Sequence, residues 1–348
     1  MSAPNDPPKA TLYTFDGSVW ASAPRLALIE KGYSDYDLDV KVVDLIKGEN
    51  FSPSYLRINS KGTVPTLVVP ILETTSSEVS TKFKALNDSK SILEFLDKSR
   101  NQQILDNKGQ GDSTPAPVLA PATIEGKAKS DALIKAVHDD NADPNFLLLG
   151  ARTLEELEAN KQGLPGLFVR NRHAALLKYQ AEVESSSAGG DSTETNPRSA
   201  AMIESLKKWY EDKIKSQELL SQVYVDNSAE AAAKLVEATA GVWAGVADTL
   251  KVIDEGVKGP FALGDQLSLA DLHVIPWLAR VLAVSSGLPE NKGQQGGEDI
   301  DALDRALKNP ILANHANASS GVSSHVRAYW ASLKSRPSFQ KVYADGLH

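Results

Sequence analysis

Cysteine is absent from all 348 residues. The chain therefore has no disulfide, no thiolate zinc site and no nucleophilic thiol of its own, and any sulfur chemistry must use sulfur that a ligand brings. Long apolar runs are missing as well. A membrane helix needs about 20 consecutive apolar residues, and the longest candidate, Leu272 to Val284, is interrupted by His273, Pro276 and Arg280. Positive charge is in deficit: 37 Lys and Arg stand against 45 Asp and Glu, for a formal net charge of -8. Nucleic acid is a poor partner for such a chain, because phosphate binding needs a basic surface. The six histidines show no metal-ligand spacing, so no metal site is expected. The first ten residues are polar and proline-rich and lack the apolar core of a secretory signal, so a cytoplasmic location with no membrane partner is expected.

What remains is ordinary globular material, 41% hydrophobic and 24% charged, long enough for two domains with proper cores. After a flexible tail over 1–10, Thr11 to Phe15 alternates like a strand. Ser22-Ala23-Pro24 reads as the opening of a helix that ends at Gly32, where a left-handed residue suits a helix C-terminus. Tyr36 to Asp44 reads as a second strand, and strand–helix–strand of this length implies a right-handed parallel crossover. Lys47 to Arg57 is a loop and short helix. Asn59-Ser60-Lys61-Gly62 is turn chemistry, and Val64-Pro65-Thr66-Leu67 resumes as a strand whose proline cannot donate to the sheet ladder. With a cis bond at Pro65, Val64 would turn its own N–H and C=O outward, where a peptide backbone can pair with them. Lys82 to Leu86 is a fourth strand, and Asp88-Ser89 caps a helix through Ile92 to Asp97. The order β-α-β-α-β-β-α is that of a thioredoxin-like sheet.

The remainder reads as helical. Residues 104–120, rich in Gly, Pro and Ser, form the expected linker between an α/β domain at 11–103 and an all-helical domain at 121–348. Helices are expected from Pro121 to His138, Leu154 to Asn160, Leu167 to Glu184, Arg198 to Val225 and Ala229 to Val257, with a flexible insertion near 185–198. Ser268-Leu269-Ala270-Asp271 is a capping box that opens the helix Leu272 to Val284.

Two blocks, Lys47 to Leu67 and Asp88 to Ile92, on a sheet of this order, resemble the N-terminal domain of cytosolic glutathione transferases, closest to theta-like and fungal members. Gly264 to Leu272 resembles the capping motif of that family's helical domain, and Tyr329 to Phe339 its last helix. One departure is the length between Val68 and Asn87, where Thr74 to Thr81 reads as an inserted hairpin loop.

The resemblance implies a thioredoxin-like domain followed by a helical domain, reduced glutathione as co-substrate, a hydrophobic electrophile as second substrate and a homodimer. The tripeptide backbone would lie on Val64 and Pro65. Its γ-glutamyl end would be held by Asp88, Ser89 and the helix start, and its glycyl carboxylate by Asn50 with Lys47 nearby. A free thiol has a reference pKa near ~8.5, so a thiolate must be stabilised by a hydroxyl and the positive end of a helix. Ser18 matches the family's activating position, with Ser22 the alternative. Trp20, between them, either lines the second-substrate pocket or anchors the helix. With serine there, a mixed disulfide with the enzyme is closed, leaving thiolate attack on an electrophile. Cleavage of aryl ethers by the same attack and non-catalytic ligand carriage are the alternative readings.

Overall fold

The computed structural model describes residues 9–72, 81–100, 116–188, 197–287, 300–312 and 315–348. The N-terminal tail, nearly all of the inserted loop at 74–81, the first part of the linker and the centre of the insertion near 185–198 lie outside the described residues.

Four strands form one sheet in the order β2-β1-β3-β4, with β1 at Ala10–Thr14, β2 at Leu38–Val42, β3 at Thr66–Leu72 and β4 at Thr81–Leu86. β1 runs parallel to β2, while β3 is antiparallel to both β1 and β4, with Leu12 opposite Leu67 and Leu67 opposite Leu86. This is the expected thioredoxin-like sheet, although β2 is shorter at both ends than the alternation from Tyr36 to Asp44 suggests. The described helices in chain order are α1 Val19–Glu30, α2 Pro53–Leu56, α3 Ser89–Ser99, α4 Ile124–Val137, α5 Pro144–Leu149, α6 Leu154–Gln162, α7 Leu164–Ala188 and α8 Pro197–Lys215. They continue with α9 Glu218–Tyr224, α10 Ala229–Gly256, α11 Leu269–Ser285, α12 Ile300–Leu307, α13 Ala316–Ser319, α14 Ser324–Lys334 and α15 Pro337–Val342. The fold is thus a thioredoxin-like α/β sheet domain followed by a large helical region.

Among the departures from the sequence expectation, two have a local cause. α1 starts at Val19, not at Ser22, because the Ser18 hydroxyl caps it, and Pro24 sits inside the helix. Pro24, in the second turn, has no N–H to send to the carbonyl of Trp20, so α1 forgoes that bond of its ladder. The single helix expected from Arg198 to Val225 is two, α8 and α9. At the break, the Ser216 hydroxyl donates to the Lys213 carbonyl at 2.7 Å, a local side-chain bond that competes with helix continuation.

Compactness divides the chain along lines other than the sheet domain and the helical domain. One unit holds the residues to Val42, Val64–Leu148 and Ala240–His348, and the other Val43–Thr63 and Leu149–Thr239. In the first, α11 is buried on all sides and α1 packs on it, on α3 and on α15. Asp271, fully buried, is the anchor of that core. It accepts bonds from the Ala262 N–H (2.8 Å), the Ser268 N–H and hydroxyl (2.7 Å each) and the Tyr329 hydroxyl (2.7 Å). The capping box legible in the sequence is therefore also a tie to α14. A second tie is the buried pair Lys31–Asp97 at 2.8 Å, whose carboxylate also accepts the Leu119 and Ala120 N–H groups at 3.0 Å.

In the second unit, Phe51, Leu56, Leu176, Val183 and Tyr210 form the core. The Tyr210 hydroxyl donates to the Phe51 carbonyl at 2.6 Å. Gly48 lies in the left-handed region at φ +71°, and a Cβ there would stand 2.5 Å from that of Ala175, so only glycine fits.

Candidate functional site

Strand directions bring three sequence-predicted features to one edge of the sheet. β1 ends there, at Thr14, and leads through Phe15 to Gly17 into α1. β3 begins there, because Tyr13 pairs with Thr66. β4 ends there, because Leu86 pairs with Leu67, and α3 starts three residues on. Ser18, the Val64–Pro65 bond and the Asp88–Ser89 pair thus share one end of the sheet.

Ser18 is the N-cap of α1. Its hydroxyl oxygen accepts the Ala21 N–H at a long 3.4 Å, which leaves its own proton available to a ligand, at the positive end of the helix. Arg280 of α11 stands behind this turn, 2% exposed, with Nη2 donating to the Gly17 carbonyl at 2.8 Å. Burial pulls the Arg280 pKa down to about 10, which leaves it a cation at neutral pH. Its Nε and Nη1 have no acceptor among the described residues, so its charge adds to the positive field at the start of α1. Sequence reasoning missed Arg280, since nothing local marks a residue 263 positions from Gly17 as its partner. Ser22 is fully buried, one turn inside α1. Its hydroxyl donates to the Ser18 carbonyl at 3.1 Å and lies 3.0 Å from His348 Nε2.

The Val64–Pro65 peptide is cis. Val64 is 8% exposed, stands before the first paired residue of β3, and its N–H and C=O have no partner among the described residues. Asp88 is the exposed N-cap of α3, with Oδ1 accepting the Ser91 N–H at 2.8 Å. Its second oxygen and the first N–H groups of the helix, starting with that of the buried Ser89, are those a helix start leaves unsatisfied.

Trp20 stacks on His138 with ring centroids 3.8 Å apart and an interplanar angle of 20°. His138 Nε2 in turn lies 2.8 Å from Nδ1 of the fully buried His273. Desolvation lowers the pKa of both imidazoles, with Asp88 pulling that of His138 back up. The pair keeps a neutral ring, one edge in solvent, beside Trp20 and near Asp88.

Lys47 and Asn50 belong to the second unit. Lys47 is exposed and pairs with Asp44 at 3.0 Å, which raises its pKa. Asn50 is 2% exposed and its Nδ2 donates to the Gly62 carbonyl at 2.7 Å. One of the two N–H donors of this amide thus braces the turn, while its buried Oδ1 has no donor among the described residues.

Residues 12–103 match the family model described as glutathione S-transferase, N-terminal domain. A tetrachloro-p-hydroquinone reductive dehalogenase of Sphingobium chlorophenolicum is 44% identical over 63 residues, 18% of this chain and 24% of the relative. Glutathione S-transferase 1 of Dianthus caryophyllus is 45% identical over 60 residues, 17% of this chain and 26% of the relative. The maleylacetoacetate isomerase maiA of Aspergillus fumigatus is 38% identical over 90 residues, 26% of this chain and 35% of the relative. These matches span between a quarter and about a third of the relatives' length. The family match covers the sheet domain that carries Ser18, Val64, Pro65, Asp88 and Ser89. Among the described residues no helix is long and apolar enough to cross a membrane.

Proposed function

We propose that this protein is a glutathione transferase that binds the reduced tripeptide at the shared end of the sheet and activates its thiol for attack on a hydrophobic electrophile. The observation that carries the reading is Val64, whose unpaired N–H and C=O stand between two helix starts at that end of the sheet. The cysteinyl backbone of the tripeptide pairs with Val64 as an added strand. Its γ-glutamyl carboxylate meets the first N–H groups of α3 at Ser89, and its ammonium meets the Asp88 carboxylate. Its sulfur faces the Ser18 hydroxyl, which donates to the thiolate, while the α1 dipole and the Arg280 cation favour the charged form. The thiolate forms a bond to the electrophilic carbon, and the electron pair departs with the leaving group or stays on the acceptor. Trp20 offers an apolar face to that second substrate.

Isomerisation is the second reading, favoured by the stretch shared with the maleylacetoacetate isomerase. The same thiolate adds to a conjugated double bond, rotation follows, and elimination returns the thiol unchanged. Assay with chlorodinitrobenzene beside a cis-configured unsaturated diketo acid separates the two. A coloured thioether from the first supports conjugation, and cis-to-trans conversion without glutathione consumption supports isomerisation. Glutathione-dependent turnover of neither, nor of a lignin-type aryl ether, contradicts catalysis and leaves ligand carriage.

A further inference from the structure

In the second unit, Arg172 of α7 sits between two phenylalanine rings. Its guanidinium carbon lies 4.8 Å from the Phe51 ring centroid and 4.9 Å from that of Phe168. Phe51 is held rigidly, fully buried, with its carbonyl taken by Tyr210 and its ring 6.0 Å from that of Trp209. Cation–π contact with the two rings uses none of the guanidinium N–H donors, which point outward in its plane. Among the described residues those donors have no hydrogen-bond or ion-pair acceptor.

A second cation stands beside it. α7 and α8 pack on each other, and Leu176 and Tyr210 share one core. Arg172 lies one turn before Leu176, and Lys213 nearly one turn after Tyr210, so both flank that contact. Burial depresses both side chains' pKa, and the neighbouring Arg172 charge depresses that of Lys213 further. Like charges repel, so folding places them together at a cost unless an anion joins them. Among the described residues neither side chain is paired with an acid. The residues three and four away from Arg172 are Phe168, Val169, Ala175 and Leu176, and those around Lys213 are Trp209, Tyr210, Ser216 and Gln217. Two acids whose charge reaches the tyrosines of this core have partners elsewhere: Glu49 accepts the Asp44 N–H at 2.8 Å, and Glu182 faces Lys178 at 3.8 Å. Gln217, four residues beyond Lys213, has a buried amide nitrogen with no acceptor among the described residues.

We infer that Arg172 and Lys213 form a binding site for a small oxyanion, a carboxylate or a phosphate group, on a cradle made rigid by Phe51 and Phe168. The planar fork of arginine takes two oxygens at once and lysine supplies the balancing point charge. The site stands independently of glutathione at the sheet end.

Titration calorimetry of the full chain with inorganic phosphate, and separately with succinate, tests it at constant ionic strength held by chloride and without glutathione. Saturable heat with a stoichiometry of one is expected, together with a concentration-dependent rise in Tm. Arg172→Gln should weaken binding at least about tenfold, which corresponds to about 1.4 kcal/mol. Lys213→Gln, at a partly exposed position, carries the same readout should Arg172→Gln fail to fold. Lys178→Gln, which removes an exposed cation of the same helix, should leave binding unchanged. Tighter phosphate binding assigns a phosphorylated ligand, and tighter succinate binding a carboxylate. No saturable heat with either anion, or equal affinity in the wild type and Arg172→Gln, overturns the site.

Discussion

Arg280 Nη2 donates to the carbonyl of Gly17 across 2.8 Å, so a buried cation of α11 holds the turn that delivers Ser18. The bond gives the guanidinium two roles, bracing the turn and biasing the start of α1 toward anions. Arg280→Met keeps the volume and removes the charge. Stability should fall by about 1–2 kcal/mol for the orphaned carbonyl. The separable effect is on chemistry: the pH–rate profile for glutathione conjugation should move to higher pH. An unmoved profile with reduced stability would leave Arg280 as a brace alone.

Ser18→Ala removes a long capping bond and a hydroxyl donor. The cap is worth about 1 kcal/mol or less, which a denaturation midpoint reads. Turnover should drop by about 10²-fold or more, the scale for losing one donor to a developing or bound anion, with glutathione affinity nearly unchanged. Ser22→Ala should leave glutathione turnover near wild type and lower stability, since Ser22 is buried against His348. The reverse pattern would transfer the activating role to Ser22.

Asp88 serves as both helix cap and exposed charge, and two substitutions separate these. Asn caps about as well as Asp, so Asp88→Asn should keep stability within a few tenths of a kcal/mol and weaken glutathione binding about tenfold by losing the ion pair with its ammonium. Asp88→Ala should lose affinity and about 1 kcal/mol of stability together. Equal affinity in wild type and Asp88→Asn would remove Asp88 from the site.

Acid should loosen the protein before its carboxylates titrate. Burial pulls His348 down to about 3 and His273 well below the ordinary value, so both stay neutral when folded. Unfolded, each takes a proton near pH ~6.5. The unfolded state then binds more protons, and stability present above that value drains away as pH falls toward the folded pKa values. Asp37 and Asp44 have lowered pKa values and act in a lower window. Urea midpoints should therefore fall between about pH 7 and about pH 5.5, and His348→Gln should flatten the slope. A constant midpoint across that range would contradict the buried neutral histidines.

The sheet was legible because alternation, turn residues and the Val64-Pro65 step are local signals. The same holds for the Asp88 cap of α3 and the Ser268–Asp271 box, whereas Ser18 came from the family resemblance, local signals having opened α1 at Ser22. What was not legible depends on partners far along the chain. The Arg280–Gly17 bond and the His138–His273 pair, 135 residues apart, join segments that no local pattern relates. Asn50 stood in the expected turn, but its direction follows from burial, which the sequence does not display. Pro24 misled the reading of α1, because proline suits a first turn and here sits in the second. The grouping of Val43–Thr63 with Leu149–Thr239 likewise follows from tertiary packing, of which the Gly48–Ala175 approach is one part.

The proposed glutathione site depends on a tripeptide backbone pairing with Val64. Amide spectra of the 15N-labelled protein, recorded while reduced glutathione is added, test this most directly. The Val64 N–H should shift and gain protection from solvent exchange in step with the Ser89 N–H, saturating at one ligand per chain. Silence at both amides with a saturating excess, or shifts confined to other parts of the chain, would contradict it.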